Sequence, residues 1–95
     1  MPVGILQLHI YLPMAHSLKG KRHVIKPIMH DLQTKFHASV AEIGKQDVWQ
    51  NTELLIALSS SSTVTIEKTK QRLIDFVESH WAEVYITRSE MEIIF

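Results

Sequence analysis

The sequence contains no cysteine, and it has only three glycines and three prolines in 95 residues. Without cysteine, disulfide bonds and thiolate metal sites are excluded, which fits a cytoplasmic protein. The few glycines form neither a Walker nor a Rossmann phosphate-binding pattern. No apolar run approaches the ~18 residues of a membrane-spanning helix. The chain opens directly into a strand-like apolar run without a basic segment before it, so we expect no signal peptide.

The net charge is zero, but the charges are unevenly distributed. Residues 1–47 hold six lysines and arginines against three acidic residues, whereas residues 48–95 hold four against seven. This balance differs from the strongly basic composition of a dedicated nucleic-acid-binding protein. The polarity between the two halves can still direct binding, including self-association.

Alternation of apolar and polar residues predicts four strands. Residues 3–12 carry leucine and isoleucine at every second position, and Pro13 ends this strand because it cannot donate to a ladder. Further strands are predicted at 37–43, 52–59 and 83–95, with Gly44 marking a turn. The mixed alternation of the last strand indicates a bulge or an edge position.

Two stretches, 18–36 and 63–79, have apolar residues at three- and four-residue steps and are predicted to be helices. Pro27 lies inside the first of them. It removes one hydrogen bond and therefore predicts a kink, or a break into two short helices. The residues predicted to face the core are Leu6, Leu8, Ile10, Leu12, Leu18, Ile25, Ile28, Met29, Leu32, Phe36, Leu54, Ile56, Leu58, Ile66, Leu73, Ile74 and Val77.

The order β-α-β-β-α-β predicts a single domain over residues 1–95 with a ferredoxin-like α+β sandwich. In that fold, two helices cover one face of a four-stranded antiparallel sheet. The opposite face is moderately apolar, and we interpret it as a homodimer interface, with an ordinary exposed sheet as the alternative. Its predicted residues are Ile5, Gln7, His9, Tyr11, Ala41, Ile43, Leu55 and Ala57.

Cations crowd the start of the first predicted helix, where the helix dipole favours acids. Ser17 is the expected N-cap, yet Lys19 lies in the first turn and Gly20 weakens the helix. Free N–H groups, dipole and cations together suit a phosphate or carboxylate, whereas a solvated lysine-rich turn is the alternative. The predicted anion- or nucleic-acid-binding residues are His16, Ser17, Lys19, Lys21, Arg22 and Lys26.

The connection between the second and third strands contains a tryptophan, Trp49. A loop tryptophan is either a lid on the core or an exposed anchor for a partner. We predict a partner surface at Gln46, Asp47, Trp49 and Gln50, although Asp47 and Gln50 alternatively satisfy the turn backbone.

Histidines recur seven residues apart, at His9, His16, His23, His30 and His37. Seven residues of helix rise about 10.5 Å, so two such imidazoles do not share one ion. We therefore expect no metal site and no cofactor.

Two motifs resemble the YlxP-like family of small uncharacterised bacterial proteins. The first motif is His16-Ser17-Leu18-Lys19-x-Lys21-Arg22. The second is Val40-Ala41-Glu42-Ile43-Gly44-x-Gln46-Asp47-x-Trp49-Gln50. The resemblance covers nearly the whole chain and implies a ferredoxin-like fold. It also implies a genomic setting beside transcription- and translation-factor genes, without an established activity. Gly20 and Pro27 depart from the usual helix residues of that family.

Three functions are compatible with these features. The first is a non-catalytic cytoplasmic protein that contacts RNA or a ribosomal particle through the basic helix start. The second is a homodimeric interaction module or a module that binds a small anion. The third is an acylphosphatase-like hydrolase that uses Arg22, although the glycine-rich loop of such enzymes is absent. Sequence-specific binding of single strands through the sheet is not expected, because the central strands lack a stacking platform of aromatic residues.

Overall fold

The structure, a computed structural model, describes residues 1–45 and 48–94. The elements are β1 (Val3–Tyr11), α1 (Leu18–Phe36), β2 (Ser39–Gly44), β3 (Asn51–Ser59), α2 (Thr63–His80) and β4 (Tyr85–Ile94). All strand pairs are antiparallel, and the four strands form one sheet in the order β2-β3-β1-β4. This arrangement confirms the predicted βαββαβ sandwich.

The core lies between one face of the sheet and the two helices. Every second residue of β1 and β3 is buried, and the register places Leu6 opposite Ile56 and Leu8 opposite Leu54. Full burial of each such side chain stabilises the fold by about 1.5–3 kcal/mol. The buried helix residues that complete this layer are Ile25, Ile28, Leu32, Ile66, Leu73 and Val77. Leu18 was wrongly predicted to face the core: it is the first residue of α1 and is 40% exposed.

Both ends of β2 differ from the predicted strand 37–43, and at each end a single residue with positive φ lies just outside the strand. His37 is the C-cap of α1, with a left-handed φ of 51°, so β2 begins only at Ser39. Gly44 belongs to β2, and the residue with positive φ is Lys45, at 64°. Single left-handed residues other than glycine are uncommon, which is why alternation alone did not place them.

The fourth strand is both an edge strand and bulged, as its mixed alternation predicts. In the sheet order β4 neighbours only β1. The pairing shifts between His9 and Ile10, which face Arg88 and Ile86 respectively, so Thr87 is the extra residue. The Thr87 hydroxyl donates a hydrogen bond of 3.2 Å to the His9 carbonyl, which fixes the bulge. β4 begins at Tyr85 rather than at residue 83, and Phe95 lies outside the described residues.

Gly4 of β1 lies directly under α2, because a Cβ at this position would come within 2.6 Å of Ile66 Cγ2. The absence of a side chain therefore allows α2 to approach β1 closely.

Pro27 is exposed, and α1 continues through it without interruption, so the predicted break into two helices is wrong. The predicted kink stays a prediction. Of the described residues, none lies in a helix with the length and apolar character needed to cross a membrane.

Candidate nucleic-acid interface

The start of α1 has the N-cap that the sequence predicts. Ser17 has extended backbone, with φ of −162°, and its hydroxyl accepts a hydrogen bond of 2.9 Å from the Gly20 amide. No acidic residue lies in the first turn. The cation-rich start of α1 is therefore a true helix N-terminus, and a single side chain, that of Ser17, caps it.

Lys21 does not belong to an exposed cation cluster, and its predicted role in anion binding is wrong. Its side chain is completely buried. The ammonium donates hydrogen bonds of 2.5 Å to the Lys45 carbonyl and 2.8 Å to the Val48 carbonyl. It also lies 3.3 Å from Oε2 of Glu42. These partners occupy the ammonium inside the protein, so Lys21 is not available to an external phosphate.

Glu42 on β2 is the acid that collects these cations. Its Oε1 accepts a hydrogen bond from Arg22 Nη1, and its Oε2 accepts one from the Thr52 hydroxyl, each at 2.5 Å. The Glu42 side chain is only 5% exposed, and Thr52 is 1% exposed. The four side chains of Lys21, Arg22, Glu42 and Thr52 form one cluster, which we call the Glu42 cluster. It joins α1 to β2 and β3.

The pKa of Glu42 reflects two opposed effects. Burial disfavours the charged carboxylate and by itself raises the pKa. Hydrogen bonds from Thr52, Arg22 and Lys21, together with the nearby Lys21 charge, favour the carboxylate. The hydrogen bonds and the Lys21 charge together outweigh the effect of burial, so the pKa of Glu42 lies below its usual range. The Glu42 carboxyl is therefore ionised at neutral pH.

The remaining cations form an exposed surface on α1, which we call the basic face: Lys19, Arg22, His23 and Lys26. Positions three, four and seven apart lie on one side of a helix. These residues, with Pro27, line an open groove of about 380 Å³. Arg22 contributes only in part, because its side chain is 38% exposed while its guanidinium binds Glu42. The charged or ionisable side chains that line this groove are all basic.

His16 is exposed just before the helix, and Arg22 lies within α1. The acylphosphatase-like alternative places a phosphate-binding arginine in the loop before the first helix. In this structure Arg22 is instead in the second turn of α1 and is paired with Glu42. The predicted anion-binding residues thus separate into an exposed group and a buried group.

Trp49 is 51% exposed, so the interpretation of this residue as a lid on the core is wrong. The tryptophan that does pack on the core is Trp81, whose ring meets Phe76 edge to face at 5.5 Å. The Gln50 side chain bonds the backbone of the β1–α1 connection rather than that of its own turn, because its Nε2 donates a hydrogen bond of 3.0 Å to the Pro13 carbonyl. The predicted partner residues Gln46 and Asp47 lie outside the described residues.

The uncovered face of the sheet carries the residues that alternation assigned to it. The register places Ile5 beside Ala57 and Gln7 beside Leu55, with Ala41 beyond Leu55 on β2. At one end, Tyr11 and Tyr85 have ring centroids 6.4 Å apart. Nearby, His9 Nδ1 lies 3.4 Å from Glu53 Oε1. The face is thus apolar in its centre and polar or aromatic toward this end.

Sequence reasoning did not identify the role of Glu42, Thr52 or Tyr85. A signal for Glu42 was present, because it shares the inward side of β2 with Val40. A carboxylate at an inward position needs a buried cation or donors, and the next element packed on that side is α1. Alternation did not identify Tyr85, because the extra residue Thr87 shifts the alternation of inward and outward side chains between Tyr85 and the later part of β4.

The geometry defines a ferredoxin-like α+β sandwich with a basic face on α1 and an exposed tryptophan, Trp49, between β2 and β3. Residues 3–91 match the family described as a protein of unknown function, DUF503. The uncharacterized protein YlxP of Bacillus subtilis (strain 168) is 44% identical over 89 residues, which cover 93% of this chain and 97% of that protein. The chain therefore belongs to this family, as the two motifs predicted.

Solved structures resemble the chain in fold alone. The de novo designed protein Foldit4 superposes with a TM-score of 0.55 at 12% identity, covering all of this chain and 98% of that one. A second de novo design, LFR1 1 with ferredoxin fold, gives a TM-score of 0.48 at 12% identity, covering 100% of this chain and 87% of that design.

Proposed function

We propose that the protein contacts RNA, free or within a ribosomal particle, through the basic face of α1, and that it acts in the cytoplasm without catalysing a reaction. The observation that supports this is the groove lined by Lys19, Arg22, His23 and Lys26. Contacts to phosphates need cations and N–H donors and little else. A groove with only basic ionisable side chains meets that requirement.

The spacing of the two lysines favours an extended polyanion over a single small anion. Lys19 and Lys26 are seven residues apart, which separates them by about 10.5 Å along the helix axis. A single phosphate requires both lysine side chains to converge on it, whereas a nucleic-acid backbone offers each lysine a phosphate of its own. Because Arg22 is partly neutralised by Glu42, the two lysines carry most of the expected attraction.

The direct test is charge reversal of Lys19 and Lys26 together. We expect Lys19→Glu with Lys26→Glu to weaken retention on ribosomal RNA for all RNA sequences alike, because phosphate contacts carry no sequence information. The slope of log affinity against log salt should fall by about 1 for each lysine. Binding of ribosomal RNA that is unchanged in affinity and in salt dependence by this double variant contradicts the proposal.

A matched control is Lys68→Glu, which reverses an exposed lysine on α2. It changes net charge by the same amount per residue but lies on the other helix, so it should leave the salt slope unchanged. Reversal of Lys21 or Arg22 is not suitable, because either change places like charges in the Glu42 cluster and unfolding would mimic a loss of binding.

A second candidate function, self-association through the uncovered sheet face, is favoured by the apolar centre of that face. Four strands about 4.8 Å apart and six to ten residues long, at ~3.4 Å per residue, offer roughly 550 Å² of flat area before side-chain relief is added. A standard interface buries about 800 Å² per partner, so the face is close to sufficient. Light scattering should then give twice the monomer mass.

The discriminating variant for self-association is Leu55→Lys, at the centre of the face between Gln7 and Ala41. It should convert a dimer into a monomer, because a lysine at the centre of the face would have to lose its hydration in the interface. The control is Lys68→Glu on α2. A wild-type protein that has monomer mass at all concentrations contradicts this candidate but leaves the RNA proposal intact.

A further inference from the structure

Trp49 combines an exposed ring with a fixed backbone. The residue before it, Val48, accepts a hydrogen bond of 2.8 Å at its carbonyl from the Lys21 ammonium, and its amide donates 3.1 Å to the Lys45 carbonyl. The residue after it, Gln50, accepts 2.8 Å at its carbonyl from the Leu12 amide. The chain is therefore held on both sides of a ring that is 51% exposed.

The anchor itself is unusual for a loop. A completely buried ammonium loses its hydration, which is unfavourable unless partners replace the water. Here two of the partners of Lys21 are carbonyls of the segment next to Trp49, not core groups. The fold thus places a buried charge against the backbone next to a surface tryptophan, and local features of this kind point to function.

We propose that Trp49 stacks on an unpaired base of the RNA whose phosphates the basic face of α1 contacts. This inference rests on the proposed function and specifies its ligand as RNA with at least one unstacked nucleotide. Aromatic rings stack on any base, so stacking adds affinity without sequence selection. Immobilising the backbone around Trp49 lowers the entropy lost when the ring is covered.

The surroundings of Trp49 favour a nucleotide over an apolar protein partner. The groove beside the ring, about 360 Å³, is lined by Val48, Trp49, Gln50 and Asn51, so amides flank the indole. Lys45, which is exposed, lies at the start of the same connection. Lys21 in α1 binds this connection directly, so the connection that carries Trp49 contacts the same helix that carries the basic face.

The experiment uses the two tryptophans of the chain as separate reporters. In Trp81→Phe, which keeps an aromatic ring against Phe76, Trp49 is the only tryptophan. Its fluorescence is titrated with an unpaired RNA of about ten nucleotides and with an RNA duplex of equal phosphate count. We expect quenching by the unpaired RNA that exceeds quenching by the duplex at equal occupancy. If Trp81→Phe folds poorly, the fluorescence of the Trp49→Phe variant is subtracted from that of the wild-type protein, and the difference gives the contribution of Trp49.

Affinity is measured in parallel for Trp49→Ala, Trp49→Phe and the double variant Lys19→Glu with Lys26→Glu. We expect Trp49→Ala to weaken binding of unpaired RNA at least about fivefold, Trp49→Phe to retain most of the affinity, and duplex affinity to be unaffected by either. Loss of affinity confined to the double lysine variant, with Trp49→Ala within twofold of wild type, overturns the stacking proposal and leaves the phosphate contact standing. Unchanged affinity in all three variants overturns both.

One more outcome concerns a second copy of the chain. If Trp49 fluorescence shifts with protein concentration in the absence of RNA, the ring is covered by self-association. That result also overturns the stacking proposal, and it is read from the same single-tryptophan protein before any RNA is added.

Discussion

The ammonium of Lys21 lies 3.3 Å from Oε2 of Glu42, and the two side chains are 0% and 5% exposed. This pair connects the first turns of α1 to β2, and the same ammonium binds carbonyls of the connection that follows. Part of the cation cluster at the helix start is therefore structural. The rest, Lys19 and Lys26, remains exposed and is the part on which the proposed RNA contact rests.

Removing the charge of Glu42 should destabilise the protein strongly. Glu42→Gln leaves Lys21 buried without a counter-charge, and breaking a buried pair in this way costs about 3–5 kcal/mol. Unfolding in urea measures the change. Glu67→Gln, which neutralises an exposed glutamate on α2, is the control and should change stability by less than about 0.5 kcal/mol. A loss below about 1 kcal/mol for Glu42→Gln would show that the network does not hold the sheet to α1.

Removing the charge of Lys21 should have a smaller effect on stability and a larger one on Trp49. In Lys21→Met the carboxylate keeps its bonds from Arg22 and Thr52, whereas the carbonyls next to Trp49 lose their shared donor. We expect a loss of about 1–3 kcal/mol and lower fluorescence anisotropy of Trp49 in the Trp81→Phe background. Anisotropy equal to that of the parent protein would mean that the ammonium does not fix the ring.

Acidification should remove the contribution of Glu42 in a defined window. Its pKa is lowered in the folded protein, so the unfolded chain takes up the proton first as pH falls below about 4.3. Stability from this group is fully present above that pH and is lost as pH falls toward the folded pKa. The stability difference between wild type and Glu42→Gln, which does not titrate there, should therefore shrink between about pH 5 and pH 3. A difference that stays constant over this range contradicts the prediction.

A methyl group at Gly4 should disturb the packing of α2. In Gly4→Ala the new Cβ would lie 2.6 Å from Ile66 Cγ2, so one of the two must move. Overpacking of a core typically costs about 1–3 kcal/mol. Ile66→Ala removes Cγ2, so in thermal unfolding the loss of Gly4→Ala combined with Ile66→Ala should be smaller than the sum of the two single losses. Losses that add would indicate that this contact is not the cause.

Replacing Pro27 should stabilise α1. Pro27→Ala restores an amide within an uninterrupted helix at an exposed position, and proline in a helix interior is about 3 kcal/mol less favourable than alanine. The greater freedom of the unfolded alanine chain offsets about 0.4–1 kcal/mol of this gain. We expect a net increase of about 2–2.6 kcal/mol in the free energy of unfolding in urea. A decrease would show that the proline ring makes a stabilising contact beside the basic face.

The strands were predictable because burial imposes a strict two-residue period, as in Leu6 and Leu8. The helix start was predictable from Ser17, whose cap is a local interaction. The fate of Lys21 was not, because its partner Glu42 is distant in sequence and a long aliphatic stem allows a lysine either to reach water or to cross the core. The two tryptophans show the same limit: Trp49 and Trp81 differ in burial only through tertiary packing.

The place of β1 in the sheet has a consequence for synthesis of the chain. β1 is made before the other three strands, yet it lies between β3 and β4, and Val3 pairs with Ile94 of β4. Because synthesis adds ~5–20 residues per second, one edge of this apolar strand stays unpaired for on the order of ten seconds. Until β4 emerges, the nascent chain displays a central strand with one unpaired edge, and it is in this interval that the protein is most exposed to mispairing and to chaperone capture.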